Sequence, residues 1–538
     1  MKKKKLRKSQ INRLYLSPFL LIACGSDPKN YGHDNKNDIS KNNLNYDYLS
    51  SLELISSNNS AAVTSTVKND FLKEDPVDPY WIKSLEMEQY DLIREYYESE
   101  PKIFYYSFPE NMPTYFDKIS DKKEWAPVSL EVELATLEIF ESIERILNLE
   151  FVQTDETKQP FVISVMSNEQ GNTDAYSYFP STQFSVGSDI FLDNDRLNPE
   201  KLSHSRTNYD YEVIVHELGH ALGLKHPFAP LGNNEYVLPT FEDTSRLTAM
   251  TYSENASYFN GEFRSFDYLT LVGVYGINPA YNSGDNVYKF DSSGGTFIID
   301  GGGSDLIDTS NYALGAFIDL RENSHSYLGI EHEYVSAAFQ MTISKNSMIE
   351  DVKTGNGNDH IIGNSLVNII KTGGGDDLVF PGEGRDLIEL GAGSNKVNLF
   401  ELEPQNDFIV FETDVSDQFN EIYNFHLSGA CDVLVFDCEI SSPVAFSPVR
   451  SFSASVNLDQ YDVHYFNDFY LYSEEGLTIS AKNDKIILSG SDSASDFDTK
   501  VYFYDKSYDG VGTLFHVADI FTGVSNLNDW SAENFLLV

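Results

Sequence analysis

The chain is poor in cysteine, in positive charge and in long apolar runs. Only Cys24, Cys431 and Cys438 occur in 538 residues, too few for a disulfide framework. Cys431 and Cys438 flank Asp-Val-Leu-Val-Phe-Asp, which reads as a strand. An extended strand would hold the two thiols about 23 Å apart, so they are not paired. Lys and Arg number 38 against 83 Asp and Glu, a net charge of −45. That balance argues against nucleic acid as a partner and favours calcium. Beyond Ala23 no apolar run reaches the roughly 20 residues needed to span a bilayer.

The first residues form a targeting segment. Lys2, Lys3, Lys4, Lys5, Arg7 and Lys8 make a basic start, and Leu14 to Ala23 is a short apolar run. It ends Leu21-Ile22-Ala23-Cys24, which resembles a bacterial lipobox. The resemblance implies a lipoprotein signal peptide over 1–23 and a lipid anchor at Cys24. An ordinary signal peptide with a stray cysteine is the alternative. Residues 24–77, rich in Asn, Asp, Ser and Lys, read as a flexible tether or propeptide.

Val215 to Pro227 reads V-H-E-L-G-H-A-L-G-L-K-H-P. His216 and His220 are four residues apart, so on a helix they share one face a turn apart. Glu217 adjoins the first of them. Gly223 lets the chain leave the helix sharply, which brings back His226, and Pro227 opposes renewed helix. Three neutral nitrogens leave one tetrahedral position open, the layout of a catalytic zinc site. A chance helical pentapeptide is the bland alternative, and the third His and the Gly at fixed offsets oppose it.

The surrounding pattern is mixed. Ile82 to Tyr97 looks helical, and Lys102 to Phe108 alternates as a strand. Ser129 is a candidate N-cap. Leu130, Leu134, Leu137, Phe140, Ile143 and Leu147 mark one face of a long helix. Phe161–Met166, Ala175–Pro180 and Ser188–Leu192 read as strands, and Ser265–Gly276 as a helix ended by its glycine.

From 354 to 398 the sequence repeats every nine residues. The units are Thr354–Ile362, Gly363–Lys371, Thr372–Phe380, Pro381–Glu389 and Leu390–Asn398. Each pairs a Gly-rich loop with one apolar inward position: Ile361, Ile370, Val379, Ile388 and Val397. Units eighteen residues apart share a side, so Asp359 stacks with Asp377, Asn368 with Asp386, and Asn395 follows Asp377. The fullest calcium site is expected between Asp359 and Asp377, with weaker ones elsewhere.

With Leu247-Thr248-Ala249-Met250-Thr251-Tyr252, which is similar to a Met-turn, these motifs resemble the serralysin-type RTX zinc proteases of the metzincin group. The resemblance implies an α+β catalytic domain over 78–276 and an all-β parallel β-roll that binds calcium over 277–400. A β-rich segment over 401–538 follows, whose tail Glu533 to Val538 resembles a type I export signal. It implies zinc on His216, His220 and His226, with Tyr252 as a movable further ligand and oxyanion partner, and Glu217 as the base of an endopeptidase. Ala175–Phe179 becomes the edge strand that pairs with extended substrate. At the junction, Asp300 and Asp305 become carboxylate ligands for calcium, and Gly302, Asn282, Gly284 and Asn286 carbonyl ligands. The expected partners are protein or peptide substrates and a proteinaceous inhibitor, the chain being a monomer that is extracellular or held at the cell surface. Two other readings stay open at this point: a calcium-stabilised adhesin whose zinc is structural, and a toxin-like protease with a single target.

Overall fold

A computed structural model describes residues 78–87, 90–96, 102–116, 122–155, 162–171, 173–181, 185–203, 205–253, 255–411, 418–426 and 432–436, with isolated strands beyond. The targeting segment, Cys24, the tether, Cys431 and Cys438 lie outside these residues. Among them, no helix is long and apolar enough to cross a membrane.

Helices α1 (Tyr80–Lys83) and α2 (Tyr90–Tyr96) precede strand β1 (Lys102–Ser107). Then come α3 (Leu130–Ile146), β2 (Leu149–Gln153), β3 (Val162–Asn168), β4 (Ala175–Ser177) and β5 (Ile190–Asp193). Helices α4 (Pro199–Leu202), α5 (Tyr209–Ala221) and α6 (Ser265–Tyr275) complete the first unit. Among the described residues, its sheet has the order β2-β1-β3-β5-β4. All pairs are parallel except β4 on β5, which places Ala175 opposite Leu192 and Ser177 opposite Ile190. The expected edge strand is therefore at the edge, and antiparallel to its neighbour.

Two expectations need correcting. Residues 82–97 are not one helix: between α1 and α2, Glu86 forms an antiparallel bridge with Leu224. In α3 the buried stripe is Val132, Ala135, Thr136, Ile139, Phe140, Ile143 and Ile146. Leu130 and Leu134 are 63% and 52% exposed. The helix thus rests largely on β-branched and small residues with Phe140, while Leu130 and Leu134 face solvent; the expected Phe140, Ile143 and Leu147 are buried. Ser129 holds the N-cap position, but its side chain makes no capping hydrogen bond.

The second unit stacks short strands in two columns. In chain order they are β6 (Val287–Tyr288), β7 (Thr296–Ile298), β8 (Leu306–Asp308), β9 (Ala316–Asp319), β10 (His325–Leu328) and β11 (Gln340–Ile343). Next are β12 (Asp351–Lys353), β13 (His360–Asn364), β14 (Ile369–Lys371), β15 (Leu378–Gly382), β16 (Leu387–Leu390), β17 (Gly393–Asn398), β18 (Phe408–Phe411), β19 (Gln418–Tyr423) and β20 (Val433–Phe436). One column runs β6-β8-β12-β14-β16-β18-β20, and the other carries β9-β13-β15-β17-β19. Neighbours are parallel within these runs, as in His360 beside Leu378 and Ile370 beside Ile388. This is the β-roll expected from the nonapeptides. Ile361, Ile370, Val379, Ile388 and Val397 are fully buried between the columns. The stacking passes residue 400 without a break, since β18 pairs with β16 and β20 with β18.

The two units share a seam. Glu242, buried, accepts from the Tyr80 hydroxyl at 2.7 Å and from Ser336 N–H at 3.1 Å. Asn346 Nδ2 donates to Val272 O at 3.0 Å.

The α3 assignment makes a direct prediction. Ile139→Ala should cost about 2–5 kcal/mol through cavity formation, whereas Leu134→Ala should stay within about 0.5 kcal/mol. Denaturant unfolding of the two variants checks this, and equal losses would contradict the buried stripe.

Candidate metal centre and active site

Helix α5 starts on Asn208, whose side chain accepts from Tyr211 N–H at 3.0 Å. Asp210 and Glu212 lie in its first turn, where they complement the helix dipole. It ends at Ala221, and Leu224 N–H returns to Gly219 O at 2.8 Å. Gly223 takes φ +103, a left-handed conformation that a side chain would strain. That reversal brings His226 back over the helix.

The three rings converge. His226 Nε2 is 3.0 Å from His216 Nε2 and 3.1 Å from His220 Nε2. His216 Nδ1 lies 2.8 Å from Ala249 O, and His220 Nδ1 lies 2.7 Å from Leu224 O. A carbonyl can only accept, so both Nδ1 atoms carry the proton and both Nε2 atoms present lone pairs. Lone pairs facing each other repel unless a cation lies between them. Tetrahedral zinc with ordinary Zn–N bonds spaces its nitrogens about 3.3 Å apart, close to what is seen. Among the described residues, this triad is the group of ligating side chains close enough to hold one metal ion. Burial pushes His216 and His226 down to about 4, so the rings stay neutral and able to ligate.

Glu217 is buried, and its Oε2 has no hydrogen-bond partner. Desolvation pushes its carboxyl up to about 7. The edge strand lies against it, with the Ser177 hydroxyl donating to Glu217 O at 3.0 Å. Phe179, just beyond β4, meets the His220 ring edge-on at 5.5 Å. Tyr252 is 65% exposed, with its ring 4.6 Å from that of His226 and 5.7 Å from that of His216.

Met250 is fully buried beneath the triad. A Cβ on Gly219 would run into its sulfur, so the glycine between the two helical histidines lets the turn approach. What fixes this turn is Asp267 of α6, which the sequence reading missed. Its carboxylate accepts from Thr248 Oγ1 at 2.6 Å, Ala249 N–H at 2.7 Å and Arg264 N–H at 2.9 Å. The peptide after Ala249 N–H carries the carbonyl that orients His216, so Asp267 acts on that ring through one residue. Its place three residues inside a helix start, where it completes a capping box with Arg264, was the available signal. Two other omissions lie next to the triad. Lys225 donates to Ala229 O at 3.0 Å and Tyr236 O at 2.8 Å, and Phe228 stacks on His226 at 5.0 Å.

The junction residues lie close together. Gly303 packs against Gly284 O. Asp300 and Asp305 are fully buried. Asn286 N–H donates to Asp305 Oδ1 at 2.8 Å, its Nδ2 to Asn282 O at 2.9 Å, and Gly302 N–H to Asp300 Oδ1 at 2.7 Å. Glu350, unforeseen, accepts from Asp305 N–H at 2.9 Å.

Along the roll the carboxylates form two ladders. On one flank Ala316 N–H donates to Asp359, Asp359 N–H to Asp377, and Asp377 N–H to Asn395, each at 2.7–3.1 Å. On the other, Asn368 donates to Asp386, Asp386 to Asp407, and Asp407 to Asp432. This second flank is richer in carboxylate than the period-nine reading of it. The steps from Asp386 to Asp407 and on to Asp432 are 21 and 25 residues, so lengthened loops hide them from the repeat. The second oxygens of Asp305, Asp359, Asp377, Asp386 and Asp407, and Oε1 of Glu401, are buried without a partner. Desolvation pushes Asp377 up to about 7, Asp386 to about 9 and Asp407 to about 10. Buried carboxylates with one oxygen used and one spare suit a hard cation.

The site and sheet together define a metzincin-type domain with a histidine triad that could hold a metal ion. A matrixin model of peptidase group M10 matches residues 118–244, and a model of the peptidase M10 serralysin C terminal matches 269–443. Metallopeptidase AprA of Pseudomonas marginalis is 30% identical over 227 residues, 37% of this chain and 46% of that protein. Serralysin G of Dickeya chrysanthemi is 30% identical over 229 residues, 38% of this chain and 46% of that protein. Serralysin of Proteus mirabilis is 27% identical over 309 residues, 50% and 61% of the two chains. This chain is a serralysin-like metzincin. It spans about half the length of the curated relatives it matches.

Asp267→Ala would leave Thr248 and two backbone amides unpaired in the core. It should lower stability by about 3 kcal/mol or more and speed zinc loss to a chelator. Unchanged melting and zinc retention would show that the turn holds without the carboxylate.

Proposed function

We propose that the chain is a zinc-dependent endopeptidase of extracellular proteins, stabilised by calcium in its roll. The observation that carries this reading is Glu217 Oε2, a buried carboxylate oxygen without a partner, on the residue next to His216. A purely structural zinc has no use for such a group, which weighs against the adhesin reading.

His216, His220 and His226 would hold the zinc. When bound, it supplies a Lewis acid and lowers the pKa of its water to about 7. Glu217 Oε2 takes the proton of the attacking water and returns it to the leaving amine. Tyr252, exposed beside His226, offers its hydroxyl to the tetrahedral oxyanion. The outer edge of β4 hydrogen-bonds the backbone of an extended substrate, which favours sequence-tolerant binding. Asp300, Asp305, Asp359, Asp377 and Asp386 would hold calcium, with carbonyls near Asn282, Gly284, Asn286 and Gly302 completing the junction. Anchoring through Cys24 belongs to the same reading and rests on the lipobox alone.

The test is cleavage of casein by the mature protein with calcium and trace zinc. Glu217→Ala should abolish it, and Tyr252→Phe should lower kcat by about 100-fold, as loss of one oxyanion donor does. A zinc-loaded, folded protein that leaves casein intact would overturn the broad-protease reading.

Calcium chelation supplies a separate check. Without the cation, the ladder carboxylates face each other unpaired, so the roll should lose strand content by circular dichroism and regain it when calcium returns. Strand content indifferent to calcium would argue against cation binding along the ladders.

A further inference from the structure

The third histidine is held differently from the other two. Ring nitrogens of His216 and His220 each meet a backbone carbonyl. For His226, the hydrogen-bond-distance contacts of the ring among the described residues are to the other two histidines. Its orientation therefore depends on its aromatic neighbours Phe228 and Tyr252 and on the path of its own backbone, and residues 85–87 of the same core hold that path.

We propose that residues 78–96 are a positioning element, a brace that fixes the Gly223–Lys225 reversal and so places His226 for metal; this rests on the metal-site reading above. Met87 N–H donates to Gly223 O at 3.1 Å, and Lys225 N–H donates to Leu85 O at 2.8 Å. Glu86 lies opposite Leu224 in this antiparallel bridge. The reversal is thus an added strand pair, clamped on both sides of Leu224. From behind, a Cβ on Gly223 would come within 2.9 Å of Ile93 and 3.3 Å of Tyr90, so α2 fits against the glycine. Beyond His226, Asn234 Nδ2 donates to Lys83 O and Glu86 O, both at 2.8 Å. The brace itself is anchored. Tyr90 OH donates to Thr270 O at 2.9 Å on α6, and Tyr80 OH to Glu242 at 2.7 Å at the seam. The matrixin match begins at residue 118, so the brace lies outside the segment that carries the metal motif. Trimming of the N-terminal region must accordingly stop before Asp78 if the metal site is to persist.

The experiment uses the full mature chain. Met87→Pro deletes the N–H that meets Gly223 O, and Met87→Ala keeps it. Zinc transfer to a chelator is timed for each, without substrate. Loss of a supporting partner around a metal ligand costs about 10–100-fold in metal affinity. Met87→Pro should therefore release zinc faster by about that factor, and Met87→Ala at close to the wild-type rate. A cobalt-substituted Met87→Pro sample should also show an altered visible spectrum. Wild-type release and spectrum in Met87→Pro would overturn the brace. Should Met87→Pro fail to fold, Asn234→Ala removes the two side-chain bonds to Lys83 and Glu86, with the one its Oδ1 accepts from Tyr236 N–H, and leaves every backbone–backbone bond in place. Faster zinc release supports the proposal, and an unchanged rate overturns it. Mass determination of the active form gives an independent readout: it must retain residues 78–96, and an active form starting beyond Tyr96 overturns the proposal. If the wild type binds no zinc, the metal-site reading itself fails. If it binds zinc and cleaves casein while the variants behave as wild type, the brace alone fails.

Discussion

Three imidazole nitrogens with their lone pairs turned toward one another are the constraint around which the first half of this chain is built. Left alone they would separate. Each is kept in place by something behind it: Ala249 O behind His216, Leu224 O behind His220, and the clamped reversal for His226. The sheet, the long helix α3 and the turn around Met250 all serve to keep those supports from yielding. Asp267 belongs to the same chain of support, since it pins the segment that supplies the carbonyl for His216.

The second half solves a related problem with the opposite sign. There, buried carboxylates rather than imidazoles crowd together, and each spends one oxygen on the backbone amide of the preceding layer. The remaining oxygens lie side by side along two flanks. The roll thus concentrates negative charge in places where an uncharged core would have been more stable in water alone. The gain is a stack whose order depends on a cation. Glu242 and Tyr80 connect that stack to the loop between His226 and the Met250 turn, so the two halves of the molecule are not independent.

Much of this was legible because the sequence repeats or spaces its key residues rigidly. The H-E-x-x-H-x-x-G-x-x-H string fixed the triad, and the nine-residue period placed Ile361 through Val397 in the core. What escaped is physically distinct. Asp267 and Glu242 accept from the backbone amides of Ala249 and Ser336, far away in sequence, and Lys225 gathers carbonyls of the loop that follows it; an isolated acidic or basic residue carries no mark of that. Asp407 and Asp432 lie on the same ladder as Asp386, but their steps are 21 and 25 residues rather than 18. The face of α3 was read correctly at Phe140, Ile143 and Leu147 but not at Leu130 and Leu134, because leucine outranks valine, isoleucine and alanine in hydrophobicity. Fit against a sheet favours the shorter side chains, and that depends on tertiary packing.

The ladders have a direction. On each flank the amides point to a side-chain oxygen of the following layer: one runs from Ala316, which has no carboxylate to offer, to Asn395, and the other from Asn368 to Asp432, which the His426 N–H also meets at 2.7 Å. Each flank is filled by alternate repeats, so removing a single repeat would exchange the flanks of everything downstream. Removing two would leave every remaining layer facing its old kind of neighbour. Changes in the length of this roll during descent are thereby confined to steps of two repeats, and the head and tail of the stack cannot be exchanged.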